Sequence, residues 1–130
     1  MGIDSKFGLD EFELYRRARA FRIDVYRVVK QMPPEEKYCL GSQMRRASVS
    51  ISNNIAEGHG RWHYQENRRF CRIARGSVEE VIDDLNVCID DHYGEATKIE
   101  VLKASAVELV ARINGYMAYL RKSQQGKDLP

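Results

Sequence analysis

The apolar residues Leu14, Ala18, Phe21, Val25 and Val28 step by four, three, four and three positions, the interval at which one face of an α-helix recurs. They predict a first helix of about twenty residues, opened by a capping box at Asp10-Glu11-Phe12-Glu13. Met32-Pro33-Pro34 closes it and starts the next, because proline suits the first turn of a helix and not its interior. A second helix is predicted from Tyr38 to Gly58, with Leu40, Met44, Ala47, Ile51 and Ile55 on its inner stripe and Gly58-His59-Gly60 as its stop. A third runs from Trp62 to Tyr93, its inner face drawn through Phe70, Ile73, Ala74, Ser77, Val81, Leu85 and Cys88, and Gly94 ends it. Gly76 in its middle predicts close approach by a neighbouring backbone, since glycine inside a helix costs about 1 kcal/mol relative to alanine. Thr97-Lys98-Ile99-Glu100 reads as a second capping box, followed by the heptad Ile99, Leu102, Ala106, Leu109, Ile113, Tyr116 and Leu120. The polar segment from Lys122 to Pro130 is expected to fray.

No stretch alternates with the period of a strand. Four amphipathic helices joined by short turns predict an all-α fold, an antiparallel up-down-up-down four-helix bundle. A chain of 130 residues is expected to form one domain over 1–130, with its core over about 10–121, and is long enough to bury well over half of its unfolded surface.

The second helix is unusual for a surface element. Between Tyr38 and Gly58 only Arg45, Arg46 and Glu57 carry charge. At about 100° per residue, Gln43, Arg46, Ser50, Asn54 and Glu57 form a second stripe beside the apolar one. The remaining side presents Arg45, Val49, Ser52 and Ala56, most of them small. A solvated face is richer in lysine and glutamate, so this helix is expected to be covered on more than one side, by its own bundle and by another copy of the chain.

Charge changes the picture through its distribution. The net charge is only +2. Yet Met44–Arg75 holds seven arginines and two acids, whereas the chain from Gly76 onward holds six basic and ten acidic residues. Such asymmetry marks either a nucleic-acid surface or complementary faces of an oligomer. The composition, 43% hydrophobic and 31% charged, is that of a globular protein with no apolar run of membrane-spanning length. The segment MGIDSKFGLDEFELY lacks the apolar core of a secretory signal. Cys39, Cys71 and Cys88 are odd in number and lie within helical patterns, which predicts reduced thiols and a cytoplasmic protein.

Three groupings are candidates for chemistry. The polar stripe Gln43, Arg46, Ser50, Asn54 and Glu57, with Ser77 and Glu80 from the third helix, reads first as a buried, mutually satisfied network that fixes helix register or a subunit joint. Buried charge must be paired, and Arg46 is expected to pair with Glu57 or Glu80. Arg68, Arg72 and Arg75, spaced four then three, share the outer face of the third helix, with Arg61 upstream and Arg69 to one side. Four helical residues rise about 6 Å, near the spacing of successive phosphates, and guanidinium groups bind phosphate bidentately. These five arginines are candidate nucleic-acid contacts, with Trp62, His63 and Tyr64 available to stack on unpaired bases. The competing reading is a solvated face, or an interface that meets Asp83, Asp84, Asp90 and Asp91 of another subunit.

The acidic cluster Glu79, Glu80, Asp83 and Asp84 has the spacing of a magnesium site, but Glu35, Glu36 and Glu100 offer no matching pair from a facing helix. No Glu-x-x-His pair supports a di-iron centre. His59 and His63 straddle a glycine-rich turn without further ligands at zinc spacing. No nucleophile–base grouping or phosphate loop is readable. The sequence therefore predicts no catalytic residue, no metal and no cofactor.

Several of these runs carry a family resemblance. Gly41-Ser42-Gln43-Met44-Arg45-Arg46-Ala47, Ser50-Ile51, Asn54-Ile55-Ala56-Glu57-Gly58, Gly60-Arg61 and Ala74-Arg75-Gly76-Ser77-Val78-Glu79-Glu80 together resemble the four-helix bundle family encoded in intervening sequences of bacterial large-subunit ribosomal RNA genes. That family is related to the accessory protein of diversity-generating retroelements. The resemblance spans roughly residues 10–120. It implies a homopentameric ring of four-helix bundles, with nucleic acid as the usual proposed ligand and a reverse transcriptase or another protein as a further partner. The family often has proline where this chain has Ser52, so a helix kink there loses its cause. The function expected is that of a non-enzymatic, nucleic-acid-binding homo-oligomer, RNA-binding or a retroelement accessory factor. The alternative is an assembly or adaptor module whose arginine stripe is a protein interface.

Overall fold

The computed structural model describes residues 8–128; residues 1–7, part of the segment read as lacking a signal, and 129–130, the end of the tail, lie outside the described residues. The described chain is helical throughout, with four long helices and no strand. A 3-10 turn at Leu9–Glu11 leads into α1, Glu13–Lys30. Phe12, in an extended conformation, takes the N-cap position, so the capping box predicted at Asp10 is not formed. Asp10 instead faces Arg19 at 3.7 Å. The inner face of α1 is Leu14, Ala18, Phe21, Val25 and Val29. The last step is four rather than three, which leaves Val28 only half-buried.

Pro34 opens a one-turn helix, α2, Pro34–Lys37. Tyr38 and Cys39 then link it to α3, Leu40–Arg61. The second helix therefore begins at Leu40 rather than Tyr38, and it runs through Gly58 and Gly60 instead of stopping there. It ends on Trp62, which adopts φ +67°. α4 spans Tyr64–Asp90, capped by His63, whose Nδ1 accepts the Gln65 N–H at 3.2 Å. α5 spans Ala96–Ser123 from an N-cap at Glu95. Thr97 thus falls inside the first turn, where it cannot cap, and the second predicted capping box is also absent.

The four long helices close on one another. α3 packs against α1 and α4, and α5 packs against α4 and α1. Their inner ridges form one core in which Met44, Ile51, Ile55, Val78, Val81, Leu85, Ile99, Ile113 and Leu120 are fully buried. Burying an aliphatic side chain of this size contributes about 1.5–3 kcal/mol, so this core supplies most of what opposes chain entropy. The α5 heptad is as predicted except that Met117 is buried and Tyr116 half-buried.

Helix α4 departs most from expectation. Its buried ridge is Asn67, Cys71, Ala74, Ser77, Val78, Val81, Asp84, Leu85 and Cys88. Phe70 is only half-buried, and Ile73 is 42% exposed, too much for a core position. Gly76 faces outward with open space around it, and none of the described residues approaches it closely. Replacing Gly76 with alanine is therefore expected to raise stability by about 0.5–1 kcal/mol, measured by urea denaturation. A loss of assembly without loss of helicity would place this face in a subunit contact.

The chain end is also more ordered than its polarity predicts. Gln124 turns in the left-handed region, and the Gln125 carbonyl accepts the Tyr64 N–H at 2.8 Å. Gly126, at φ +76°, passes directly beneath the Trp62 carbonyl, where a Cβ would collide. The turn after α5 is thereby fastened across the α3–α4 link.

Candidate nucleic-acid interface

The five predicted arginines divide between two sides of α4. Arg61 and Arg69 flank the half-buried Phe70 ring, their guanidinium carbons 5.2 and 5.1 Å from its centroid. Each also has a carboxylate: Arg61 binds Glu57 at 2.8 Å and Arg69 faces Glu66 at 3.6 Å. These two cations are already neutralised within the protomer.

Arg68 and Arg75 lie on the other side, against α5. With Asn114, Met117, Ala118, Arg121 and Lys122 they line an open hollow of about 460 Å³. Arg75 donates to the Asn114 side-chain oxygen at 2.7 Å and rests on the Met117 sulfur at 3.9 Å. That contact orients the guanidinium without neutralising it. Arg68 has its Nε buried without a hydrogen-bond partner. Arg72 is exposed on the same helix. All three act electrostatically on Cys71. Burial nonetheless dominates there and pushes the thiol up to about 12, so Cys71 is an inert core thiol, not a nucleophile.

Arg121 and Lys122 were not foreseen as site residues. Asn114, Ala118 and Arg121 recur at four and three, a helical edge, but the polar end of the sequence masks that spacing. Two cations in the last turn also suit the helix macrodipole, which leaves partial negative charge at that end.

Of the predicted polar stripe, three members meet. The hydroxyls of Ser50 and Ser77 lie 2.9 Å apart, and the Asn54 amide donates to the Ser50 carbonyl at 2.8 Å and to its hydroxyl at 3.0 Å. This knot pins α3 to α4. Gln43, Arg46, Glu57 and Glu80 are exposed and outside it. The expected pairing of Arg46 with Glu57 or Glu80 is not made, since the Glu57 carboxylate is held by Arg61 one turn away. Arg46 instead lines a shallow hollow with Tyr26, Arg45, Val49, Asn53 and Asn54. Ser52, buried, accepts from Arg22 at 2.9 Å and donates to the Val49 carbonyl at 3.2 Å, and α3 continues unbroken through it.

The acidic cluster does not converge. Among the described residues no group of three or more His, Cys, Asp or Glu side chains is placed to hold a metal ion. Glu79, Glu80 and Asp83 face solvent, whereas Asp84 is buried. His63 is spent on its capping bond and stacks on Tyr64 at 5.1 Å. Trp62 turns away toward His59.

The runs that suggested a family lie on α3 and at the centre of α4, where they build the α3–α4 contact and the Ser50–Asn54–Ser77 knot. The family described as 23S rRNA-intervening sequence protein matches residues 10–115. The chain belongs to this family. The match begins at the 3-10 turn before α1 and ends within α5, so Arg121 and Lys122 lie just beyond it. A comparison with curated proteins matches none. Like the rest of the described residues, the family's helical bundle here contains no helix long and apolar enough to cross a membrane.

Proposed function

We propose that this protein is a non-enzymatic, nucleic-acid-binding homo-oligomer of the cytoplasm that holds the phosphate backbone of RNA or DNA. The observation that carries the reading is the hollow between α4 and α5. Arg68 and Arg75 from one helix and Arg121 and Lys122 from the other line it, with Arg72 on the same helix as the first pair. Among the described residues none of these five makes an ion pair, while Arg61 and Arg69 do. Unpaired cations gathered on one surface raise the local potential and favour a polyanion.

The binding set in this proposal is therefore Arg68, Arg72, Arg75, Arg121 and Lys122, with Arg61 and Arg69 in a lesser role. An antiparallel up-down-up-down arrangement and assembly into a pentameric ring belong to the same proposal. A ring repeats the hollow and raises avidity without new contacts. Gln43 and Arg46, two exposed members of the α3 polar stripe, then face another copy.

Titration of labelled structured RNA and duplex DNA at several salt concentrations tests the reading. Affinity is expected to fall steeply with salt, and Arg72→Glu to weaken binding about tenfold or more while reducing the salt slope by about one contact. The oligomer is expected to survive that change. Loss of the oligomer on Arg72→Glu would assign the stripe to a protein interface, as an adaptor role requires. Absence of binding at low salt would remove the nucleic-acid reading altogether.

A further inference from the structure

A second hollow, of about 290 Å³, opens where the start of α1, the end of α3 and the last turns of α5 meet. Five rings line it: Phe12, His59, Trp62, Tyr116 and Tyr119. Phe12 stacks on His59 at 5.0 Å and tilts against Tyr116 at 4.9 Å. Tyr119 stacks on Tyr116 at 6.2 Å, and Trp62 lies 6.5 Å from His59. Among the described residues the carboxylates of Glu11 and Glu13 line it, and no lysine or arginine does so. Glu13 is matched by Arg17 at 2.9 Å, whereas Glu11 has no ion pair among the described residues.

We propose that this hollow binds an alkylated ammonium group, a function separate from phosphate binding at the α4–α5 surface. Aromatic faces carry negative electrostatic potential and hold quaternary ammonium ions well, tryptophan best. A carboxylate at the mouth supplies the countercharge. The same carboxylate repels phosphate, so a nucleotide is a poor occupant. The volume sits at the small end of ligand pockets and suits a compact headgroup.

The backbone carries an independent sign. Trp62 holds φ +67°, a region that glycine occupies freely and a bulky side chain rarely does. Strain of this kind persists where the surroundings enforce it, and it collects at ligand sites. Here the C-terminal turn does the enforcing, through the Tyr64–Gln125 backbone bond and the close passage of Gly126 beneath Trp62. The buried Asn67 donates to the Tyr116 hydroxyl at 2.9 Å and sets that ring. The backbone of Trp62 is thus held by the C-terminal turn, and its ring lies beside His59 at the pocket.

Trp62 is the chain's single tryptophan, so its fluorescence reports the site directly. The full-length protein is titrated with choline at pH 8. A saturable change in Trp62 emission is expected, and 3,3-dimethylbutan-1-ol, the uncharged isostere, is expected to bind about tenfold more weakly or worse. Glu11→Gln and Tyr119→Ala alter exposed side chains. Each is expected to weaken choline several-fold with the thermal unfolding midpoint unchanged. A trimethyllysine peptide then distinguishes the source. Tighter binding than choline supports a protein side chain, and weaker binding supports a free amine. Equal affinity for the neutral isostere, preference for guanosine, indifference to Glu11→Gln, or no saturable change up to about 50 mM choline would each overturn the proposal.

Discussion

Replacing Gly58 with valine is expected to cost about 3 kcal/mol or more in unfolding free energy. Gly58 is buried in α3 where that helix presses on α4. A Cβ there would stand 2.6 Å from the Asn67 side-chain oxygen, 3.1 Å from the Asn67 carbonyl and 3.2 Å from the Phe70 Cβ. The last two belong to the backbone and side-chain stem of α4, so no rotamer change relieves them. The helices must separate, and separation loosens the whole ridge below. The Asn67 amide is itself committed: it donates to Tyr116 and its oxygen accepts from the Cys71 thiol at 3.7 Å. Displacing it leaves buried polar groups unmatched, a further cost of about 1–3 kcal/mol. The measurement is the urea midpoint at unchanged slope, with Gly76→Ala as the control, since open space surrounds that glycine. A Gly58→Val protein within about 0.5 kcal/mol of the parent, the scatter of surface substitutions, would mean that α3 and α4 do not approach closely at Gly58.

The two glycines also mark the limits of the sequence. Gly58 looked like a helix stop and is a contact point inside the helix; Gly76 looked like a contact point and is open. Composition records that a residue lacks a side chain, not which neighbour takes the space. The same reason explains α4. Phe70 and Ile73 present an apolar ridge, and so do Cys71, Ala74 and Val78, about 100° away. Transfer free energy alone favours the larger side chains. The ridge with small members, Cys71 and Ala74, takes the core, while the stem of Phe70 packs beside Gly58 and its ring stays half-buried under two arginines. By contrast α1, α3 and α5 each carry a single apolar stripe, and all three were legible to within a residue or two. The Ser50–Ser77 contact was legible because Ser50 lies on the polar stripe beside the apolar face of α3 and Ser77 on the inner face of α4. The basic hollow was half legible. Arg68, Arg72 and Arg75 announce themselves by spacing, whereas Arg121 and Lys122 join them only because α5 packs beside α4.

Asp84 leads to the second large effect, a dependence of stability on pH. It lies seven residues after Ser77, hence on the same side of α4, and is 5% exposed, with Oδ2 buried and unpartnered. Burial pushes its carboxyl up from 3.8 to about 6, and the charges of Glu80 and Asp83 push the same way. A group that holds its proton more tightly when folded stabilises the fold only while protonated. Its contribution is therefore lost as pH rises from about 4 to about 6, and above that the ionised form opposes folding by roughly 2–3 kcal/mol. This is the reverse of the usual carboxylate, whose pairing lowers its pKa. Asp84→Asn removes the charge at nearly constant shape. Relative to the parent, the variant is expected to gain about 2–3 kcal/mol between pH 4 and pH 8, whatever its amide costs at either pH. Paired urea unfolding of both proteins across that range reads the difference. A gain confined to this window would make Asp84 a carboxylate that the fold carries at a loss. The opposite trend would give it a cationic partner, which none of the described residues supplies.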